Sequence, residues 1–92
     1  MEIRRLVVTG MVQGVGYRYG MMVEAMHLDI SGWVRNRLDG SVEALIAGSP
    51  ESVAAIIAWA RRGPPGAQVT HLAVEIGEGS FESFVTRPSS QG

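Results

Sequence analysis

Two side chains in the N-terminal half of the chain, Arg18 and Asn36, are suited to hydrolytic chemistry on an anionic group. Arg18 ends the run 10–18 (G-M-V-Q-G-V-G-Y-R), which holds three glycines directly after an apolar stretch. A guanidinium binds two phosphate oxygens in a bidentate, charge-assisted contact. A carboxamide such as that of Asn36 donates and accepts hydrogen bonds at once, so it can orient a water molecule. These residue types predict an anion site with a nucleophilic water beside it.

The glycine-rich run has the composition of a turn between a strand and a helix. Such a turn directs successive backbone N–H groups into a concave nest, aided by the helix N-terminus. The run is neither a Walker A sequence nor a G-x-G-x-x-G fingerprint. The local pattern therefore also suits a structural turn that ends in a surface arginine, and Asn36 also suits a polar residue satisfied near its own strand end. Gly14 and Gly16 would let the main chain approach an anion, and Arg18 would add a charge-assisted contact to it.

The spacing of apolar residues predicts the elements that must hold this turn in place. Strands are predicted over segments rich in β-branched residues, at 3–12, 30–37, 42–46 and 69–76, with a short edge strand at 84–87. Helices are predicted over 19–28 and 49–63. Met22, Val23 and Met26 are expected to form the buried stripe of the first helix.

Local start, stop and turn signals support this division of the chain. Ser49 is a suitable N-cap, Pro50 suits the first helical position, and Gly63 suits the end of the second helix. Asp39-Gly40 predicts a tight hairpin between the second and third strands. The second helix is expected to bury Val53, Ile56, Ile57 and Ala60.

The order of these elements predicts an α+β fold with a ferredoxin-like βαββαβ arrangement. In that fold both helices cover one face of an antiparallel sheet. We expect the second strand to lie beside the first, which would bring Asn36 near the glycine turn. A Rossmann site is poorly supported, because 92 residues and a hairpin topology leave no parallel βαβ sheet.

Composition limits the classes of function. The 92 residues fit a single domain, 1–92, with a flexible tail at 88–92. The net charge of −1 gives no general attraction for nucleic acid or an anionic membrane. The absence of cysteine removes disulfides and thiolate zinc sites, and it is consistent with a cytoplasmic protein. No signal-peptide pattern or membrane-spanning run is visible.

Three stretches of the sequence resemble the acylphosphatase family. They are V-T-G-M-V-Q-G-V-G-Y-R at 8–18, S-G-W-V-R-N at 31–36 and D-G-S-V-E-A at 39–44, and W-A-R-R-G-P-P-G-A-Q-V at 59–69 resembles the family's second-helix exit. The resemblance covers nearly the whole chain. Two positions depart from the family's pattern: Tyr17 stands where phenylalanine is more usual, and Asp29 stands where glycine is common, so local strain is expected there.

The resemblance implies a monomeric hydrolase that cleaves acyl phosphates to a carboxylate and inorganic phosphate, without cofactor or metal. It assigns phosphate binding to a cradle formed by Gln13, Gly14, Val15, Gly16, Tyr17 and Arg18, and the orientation of water to Asn36. The leaving carboxylate is the conjugate base of an acid with a pKa of roughly 4, so it departs without a proton donor. In this scheme the substrate's own phosphate oxygen accepts the water's proton.

Other functions fit the sequence less well. A non-catalytic module that recognises an acyl or carbamoyl phosphate would share the fold and the cradle, as part of a larger enzyme. An RNA-binding module would need exposed sheet aromatics and basic surface, whereas Trp33 and Trp59 are expected to make core or helix-to-sheet contacts. His27 and His71 lack zinc-ligand spacing, and neither is expected to be catalytic.

Overall fold

The computed structural model describes residues 1–90, which form five strands and two helices. In chain order these are β1 (Glu2–Met11), α1 (Tyr17–His27), β2 (Ser31–Arg37), β3 (Val42–Gly48), α2 (Pro50–Arg62), β4 (Gln68–Ile76) and β5 (Phe84–Ser90). The predicted order βαββαβ with a final edge strand is confirmed. Residues 88–90 of the expected flexible tail continue β5, and residues 91–92 of that tail lie outside the described residues.

The five strands form one mixed sheet in the order β4-β1-β3-β2-β5. The expectation of a purely antiparallel sheet is wrong, because β2 and β5 pair in parallel. The expectation that β2 lies beside β1 is also wrong, because β3 returns from the hairpin and pairs with both of them.

The connection between β4 and β5 explains the parallel pair. The two strands lie at opposite edges, roughly 19 Å apart at about 4.8 Å per strand. The segment 77–83 reaches roughly 25 Å when extended, so it can cross only along one end of the sheet. Gly77 N–H donates to the Ile3 carbonyl and Gly32 N–H donates to the Ser83 carbonyl, at 3.0 and 2.9 Å, which fixes both ends of the crossing. β5 therefore starts where β4 finished and runs antiparallel to it, as β2 does.

Both helices cover one face of the sheet and enclose the core. The core residues are Leu6, Val8, Val12, Tyr17, Met21, Ala25, Ile30, Val34, Val42, Ala44, Ile46, Val53, Ile56, Ala60 and Phe84. The predicted stripe of α2 is confirmed, with Ile57 partly buried beside the others. Within residues 1–90, neither helix has the length and apolar character needed to cross a membrane.

The buried face of α1 differs from the predicted one. Tyr17, Met21 and Ala25 face the core, whereas Met26 is 68% exposed. Apolar residues occupy nearly every position from 21 to 26, so spacing alone does not fix which face is buried. The phase is set one turn earlier, where Tyr17 begins the helix inside the core.

The predicted caps and turns are present. The Ser49 hydroxyl accepts a hydrogen bond from Ser52 N–H at 3.1 Å, and α2 begins at Pro50. The Asp39 carboxylate accepts hydrogen bonds from both the amide and the hydroxyl of Ser41, which closes the hairpin turn. Asp29 has a positive φ of 55°, so the left-handed conformation expected after α1 occurs there.

The Tyr17 hydroxyl connects the two helices. It donates to the Ala60 carbonyl at 2.7 Å within the core. The residue four positions after Ala60 is Pro64, which has no N–H and cannot serve as the helical donor. Burial raises the pKa of the Tyr17 phenol well above its ordinary value, so the hydroxyl keeps its proton and remains a donor.

The indole of Trp59 packs between the same two helices. Its ring centroid lies 5.2 Å from that of Tyr17. A Cβ at Gly20 would come within 2.8 Å of the indole, so glycine is needed for the helices to approach this closely. Trp59 is thus a helix-to-helix contact.

The sheet face opposite the helices carries charged groups. Trp33 lies on this face, with the Arg35 and Arg87 guanidinium carbons 5.2 and 4.9 Å from its ring centroid, so its placement in the core is wrong. Glu43, only 5% exposed, accepts hydrogen bonds from Arg5 and Arg35. Burial alone would raise the pKa of the Glu43 carboxyl, but the hydrogen bonds from Arg35 and Arg5 outweigh burial and lower it below its ordinary value.

We expect Tyr17→Phe to lower the free energy of unfolding by about 1–2 kcal/mol, because it leaves the Ala60 carbonyl buried without a donor. Denaturant unfolding monitored by circular dichroism measures the change. Tyr19→Phe is the matched control, since Tyr19 is 67% exposed and should change stability by less than about 0.5 kcal/mol. Equal losses in the two variants would contradict the assignment.

We expect Glu43→Gln to lower the free energy of unfolding near pH 7 by about 1–2 kcal/mol. A carboxyl with a depressed folded-state pKa stabilises the protein above its ordinary value of 4.5, and this contribution is lost as the pH falls through the lower folded-state pKa. The stability curves of parent and variant should therefore converge in acid. Glu75→Gln, at the exposed end of the network, should show a smaller difference. A constant gap from pH 7 to pH 2 would disprove the linkage.

Candidate active site

A cavity of about 310 Å³ opens at the end of the sheet where α1 begins. The C-terminal ends of β1 and β2 reach this end, and β5 passes beside it. The lining residues are Val12, Gly14, Gly16, Tyr17, Arg18, Tyr19, Met22, Asn36 and Thr86. The cavity thus combines main chain from the glycine turn, one cation, one carboxamide and an apolar side.

The glycine turn, residues 12–16, forms one wall of the cavity. Gly14 and Gly16 have φ angles of 76° and 81°, in the left-handed region that favours glycine. A Cβ at either position would meet no atom within 4 Å, so the requirement is the backbone conformation and not the space. These two residues let the chain leave β1 and enter α1 within a few residues while its main chain stays open to a ligand.

The N-terminus of α1 opens onto the cavity without a side-chain cap. Gly16 is the N-cap residue, and within residues 1–90 no side chain accepts a hydrogen bond from the first-turn amides. The first turn also contains no acidic residue. The positive end of the helix dipole is therefore uncompensated by the chain's own side chains, which favours an anion there.

Arg18 is the second residue of α1 and contributes the cation of the cavity. Its side chain is half-buried, and Nη1 donates to the Arg87 carbonyl of β5 at 3.2 Å. This contact ties the guanidinium to the edge strand, beside Thr86 of the cavity wall. A guanidinium held in this way is already placed for an anion, so less side-chain entropy is lost on binding.

Asn36 lies near the end of β2, facing the helix side of the sheet. Its Oδ1 is buried, and within the described residues it has no hydrogen-bond partner. An unpaired buried acceptor costs about 1–3 kcal/mol, and native proteins rarely leave one without a water or ligand. Asn36 also lines the cavity, so this carboxamide lies at the cavity wall.

Five of the seven residues predicted for the site meet at this cavity: Gly14, Gly16, Tyr17, Arg18 and Asn36. Two others do not line it with their side chains. Val15 packs against the core, and Gln13 turns its carboxamide away to the β2–β3 hairpin. The amides of both residues belong to the glycine turn.

Sequence reasoning missed four residues of the cavity: Val12, Tyr19, Met22 and Thr86. Met22 lies one helical turn after Arg18, so the i, i+4 spacing could have placed it on the same side of α1. Thr86 carries no such signal, because it reaches the cavity only through the pairing of β5 with β2, where it lies opposite Val34.

The rival catalytic histidines lie elsewhere. His27 is at the opposite end of α1 from Arg18, and His71 is exposed on β4. Neither lines the cavity. No group of three or more histidines and carboxylates within residues 1–90 has the arrangement of a metal site.

Comparisons with known proteins agree on one family. The family model for acylphosphatase matches residues 4–86. An acylphosphatase from Cupriavidus necator is 50% identical over 88 residues, covering 96% of each chain. The crystal structure of acylphosphatase from Bacillus subtilis superposes with a TM-score of 0.90 at 34% identity, over 95% of this chain and 99% of that one. An acylphosphatase structure from Coxiella burnetii gives 0.89 at 32% identity, over 94% and 92% of the two chains.

Proposed function

Because the chain belongs to the acylphosphatase family, we propose that the cavity at the start of α1 holds the phosphoryl group of its substrate beside a water oriented by Asn36. The chain is a hydrolase that acts on acyl phosphates; the assignment of roles to its residues is our proposal. The observation that carries it is the buried, unpaired Oδ1 of Asn36, in the same cavity as Arg18 and the uncapped helix N-terminus.

The phosphoryl group is bound by main-chain donors and one cation. Amides of residues 13–17 and the first turn of α1 bind its oxygens, and Arg18 neutralises charge on two of them. Phosphoryl transfer requires mainly positioning and electrostatic stabilisation of the equatorial oxygens. Donors fixed by a folded loop provide both without reorganisation during the reaction.

Asn36 positions the nucleophile. A water that donates one proton to Oδ1 has its oxygen lone pair free to face phosphorus. As that oxygen bonds to phosphorus, the bond from phosphorus to the acyl oxygen breaks and the carboxylate leaves with the electron pair. The water's other proton passes to a phosphate oxygen of the substrate, and the products are a carboxylate and inorganic phosphate.

We further propose that the enzyme works as a cytoplasmic monomer without a metal ion. Arg18 and the helix N-terminus supply the positive charge that a metal would otherwise contribute to the phosphoryl oxygens. A carboxylate leaving group needs no acid catalyst. The net charge of −1 gives no general attraction for nucleic acid, so we do not expect it as a partner.

We expect Arg18→Ala to lower kcat/KM for benzoyl phosphate by about 100-fold or more and to weaken inhibition by inorganic phosphate. The lower kcat/KM and the weaker phosphate inhibition are both expected, because the guanidinium contacts the phosphoryl group in the ground state and in the transition state. Phosphate release, with a chelator present, measures the rate. Arg61→Ala is the matched control, because it removes the same charge from the exposed surface of α2. This variant should keep the kcat/KM and the phosphate inhibition of the parent. Parent-like phosphate inhibition of Arg18→Ala would refute its binding role.

We expect Asn36→Ala to lower kcat by about 100-fold, while the inhibition constant of inorganic phosphate stays within about 3-fold. The free energy of unfolding should stay within about 1 kcal/mol of the parent, because the lost acceptor has no protein partner to leave unpaired. Activity would then fall without a loss of stability. Hydrolysis of benzoyl phosphate at the parent rate would rule out the orientation of water by Asn36.

A further inference from the structure

The side chain of Gln13 bridges the glycine turn to the β2–β3 hairpin. Its Nε2 donates to the Arg37 carbonyl at 2.7 Å and to the Ser41 carbonyl at 2.8 Å. A primary amide has two N–H donors, so both are used on the hairpin. Gln13 belongs to the phosphate cradle by sequence, but its carboxamide serves another part of the molecule.

The two carbonyls have partners of their own. The Arg37 carbonyl also accepts from Gly40 N–H at 3.1 Å, and the Ser41 carbonyl also accepts from Arg37 N–H at 2.9 Å. Removing the Gln13 amide would therefore leave neither carbonyl without a donor. The Arg37 and Ser41 carbonyls therefore do not need Gln13 as a donor. The two hydrogen bonds of Gln13 are better explained by the connection that they make between the glycine turn and the hairpin.

The sheet ladders do not join the glycine turn directly to the end of β2. β3 separates β1 from β2, so the two strands share no ladder hydrogen bonds. The pairing of β1 with β3 ends at Val8 opposite Val42, and that of β2 with β3 ends at Asn36 opposite Val42. The glycine turn and Arg37 both lie beyond this row. Beyond this row, the Gln13 side chain connects the glycine turn to the β2–β3 hairpin.

We propose that Gln13 is a positioning residue, whose two hydrogen bonds set the distance and orientation between the phosphate cradle and the Asn36 carboxamide. Arg37 directly follows Asn36, so the bridge acts one residue from the group that orients water. A misplacement of about 1 Å between reacting groups costs about 100-fold in rate. The inference rests on the role of Asn36 proposed above and adds that Gln13 acts through it.

Gln13→Met tests the inference, because methionine keeps the length of the side chain and removes both donors. We expect kcat for benzoyl phosphate to fall at least about 10-fold, with the inhibition constant of inorganic phosphate within about 3-fold of the parent. In the Asn36→Ala background the same substitution should change kcat by less than about 2-fold, since a residue that acts through Asn36 has nothing left to position.

Val53→Ala is the control for lost stability, because Val53 is buried in the core at the start of α2 and does not line the cavity. Assayed below its unfolding temperature, this variant should keep the parent kcat. A similar fall in kcat in Val53→Ala would attribute the Gln13→Met effect to general destabilisation and overturn the inference.

The remaining outcomes separate the two proposals. A normal loss in Asn36→Ala with parent-like kcat in Gln13→Met overturns the positioning role alone. Additive losses in the double variant, or phosphate binding weakened as much as kcat, also overturn it, because Gln13 would then act on the cradle itself. Parent-like kcat in Asn36→Ala removes the proposed role of Asn36, and the inference with it.

Discussion

An uncapped helix N-terminus is the constraint around which this molecule is organised. The two helices show the contrast within one chain. α2 has a serine cap, an acidic residue in its first turn and two arginines in its last. α1 begins after a left-handed glycine with no side-chain cap and no acid in its first turn. The chain caps one helix with its own side chains and leaves the other open, and an open helix N-terminus favours an anion such as the phosphoryl group in the proposed function.

An open helix terminus must be held by contacts elsewhere, because a ligand is present only part of the time. Tyr17 supplies the first of these contacts through its hydroxyl on the Ala60 carbonyl, and its ring packs on Trp59. The charged network of Glu43 with Arg5 and Arg35 lies on the opposite face of the sheet. This network is thus kept away from the cavity, where an acidic group would compete with an anion for Arg18 and the amides.

Local chemistry made most of the fold predictable. Ser49, Gly63 and the Asp39-Gly40 turn fixed element boundaries, because each acts through its own backbone and near neighbours. Arg18 and Asn36, which both line the cavity, were singled out from their residue types and flanking motifs. Gly14 and Gly16 were found because few other residues adopt the conformation that this turn requires.

Features that depend on distant pairing were missed. The parallel pairing of β2 with β5, the arrival of Thr86 at the cavity and the contact of Arg87 with Trp33 all depend on where 77–83 crosses the sheet. The buried face of α1 was misread because its apolar residues are nearly continuous, and only tertiary packing selects Met21 over Met26. The turn of the Gln13 side chain away from the cradle likewise has no local signal, since its partners lie 24 and 28 residues away.

The direction of β5 has a practical consequence for handling the protein. β1 starts at the end of the sheet where Glu2 pairs with Gly48, far from the cavity. β5 runs in the same direction as β1 and finishes at the cavity end of the sheet, opposite Arg37, with the Arg87 carbonyl bound to Arg18. A purification tag or surface tether attached before residue 1 therefore leaves the mouth of the cavity clear, whereas one attached after β5 places foreign chain beside Arg18.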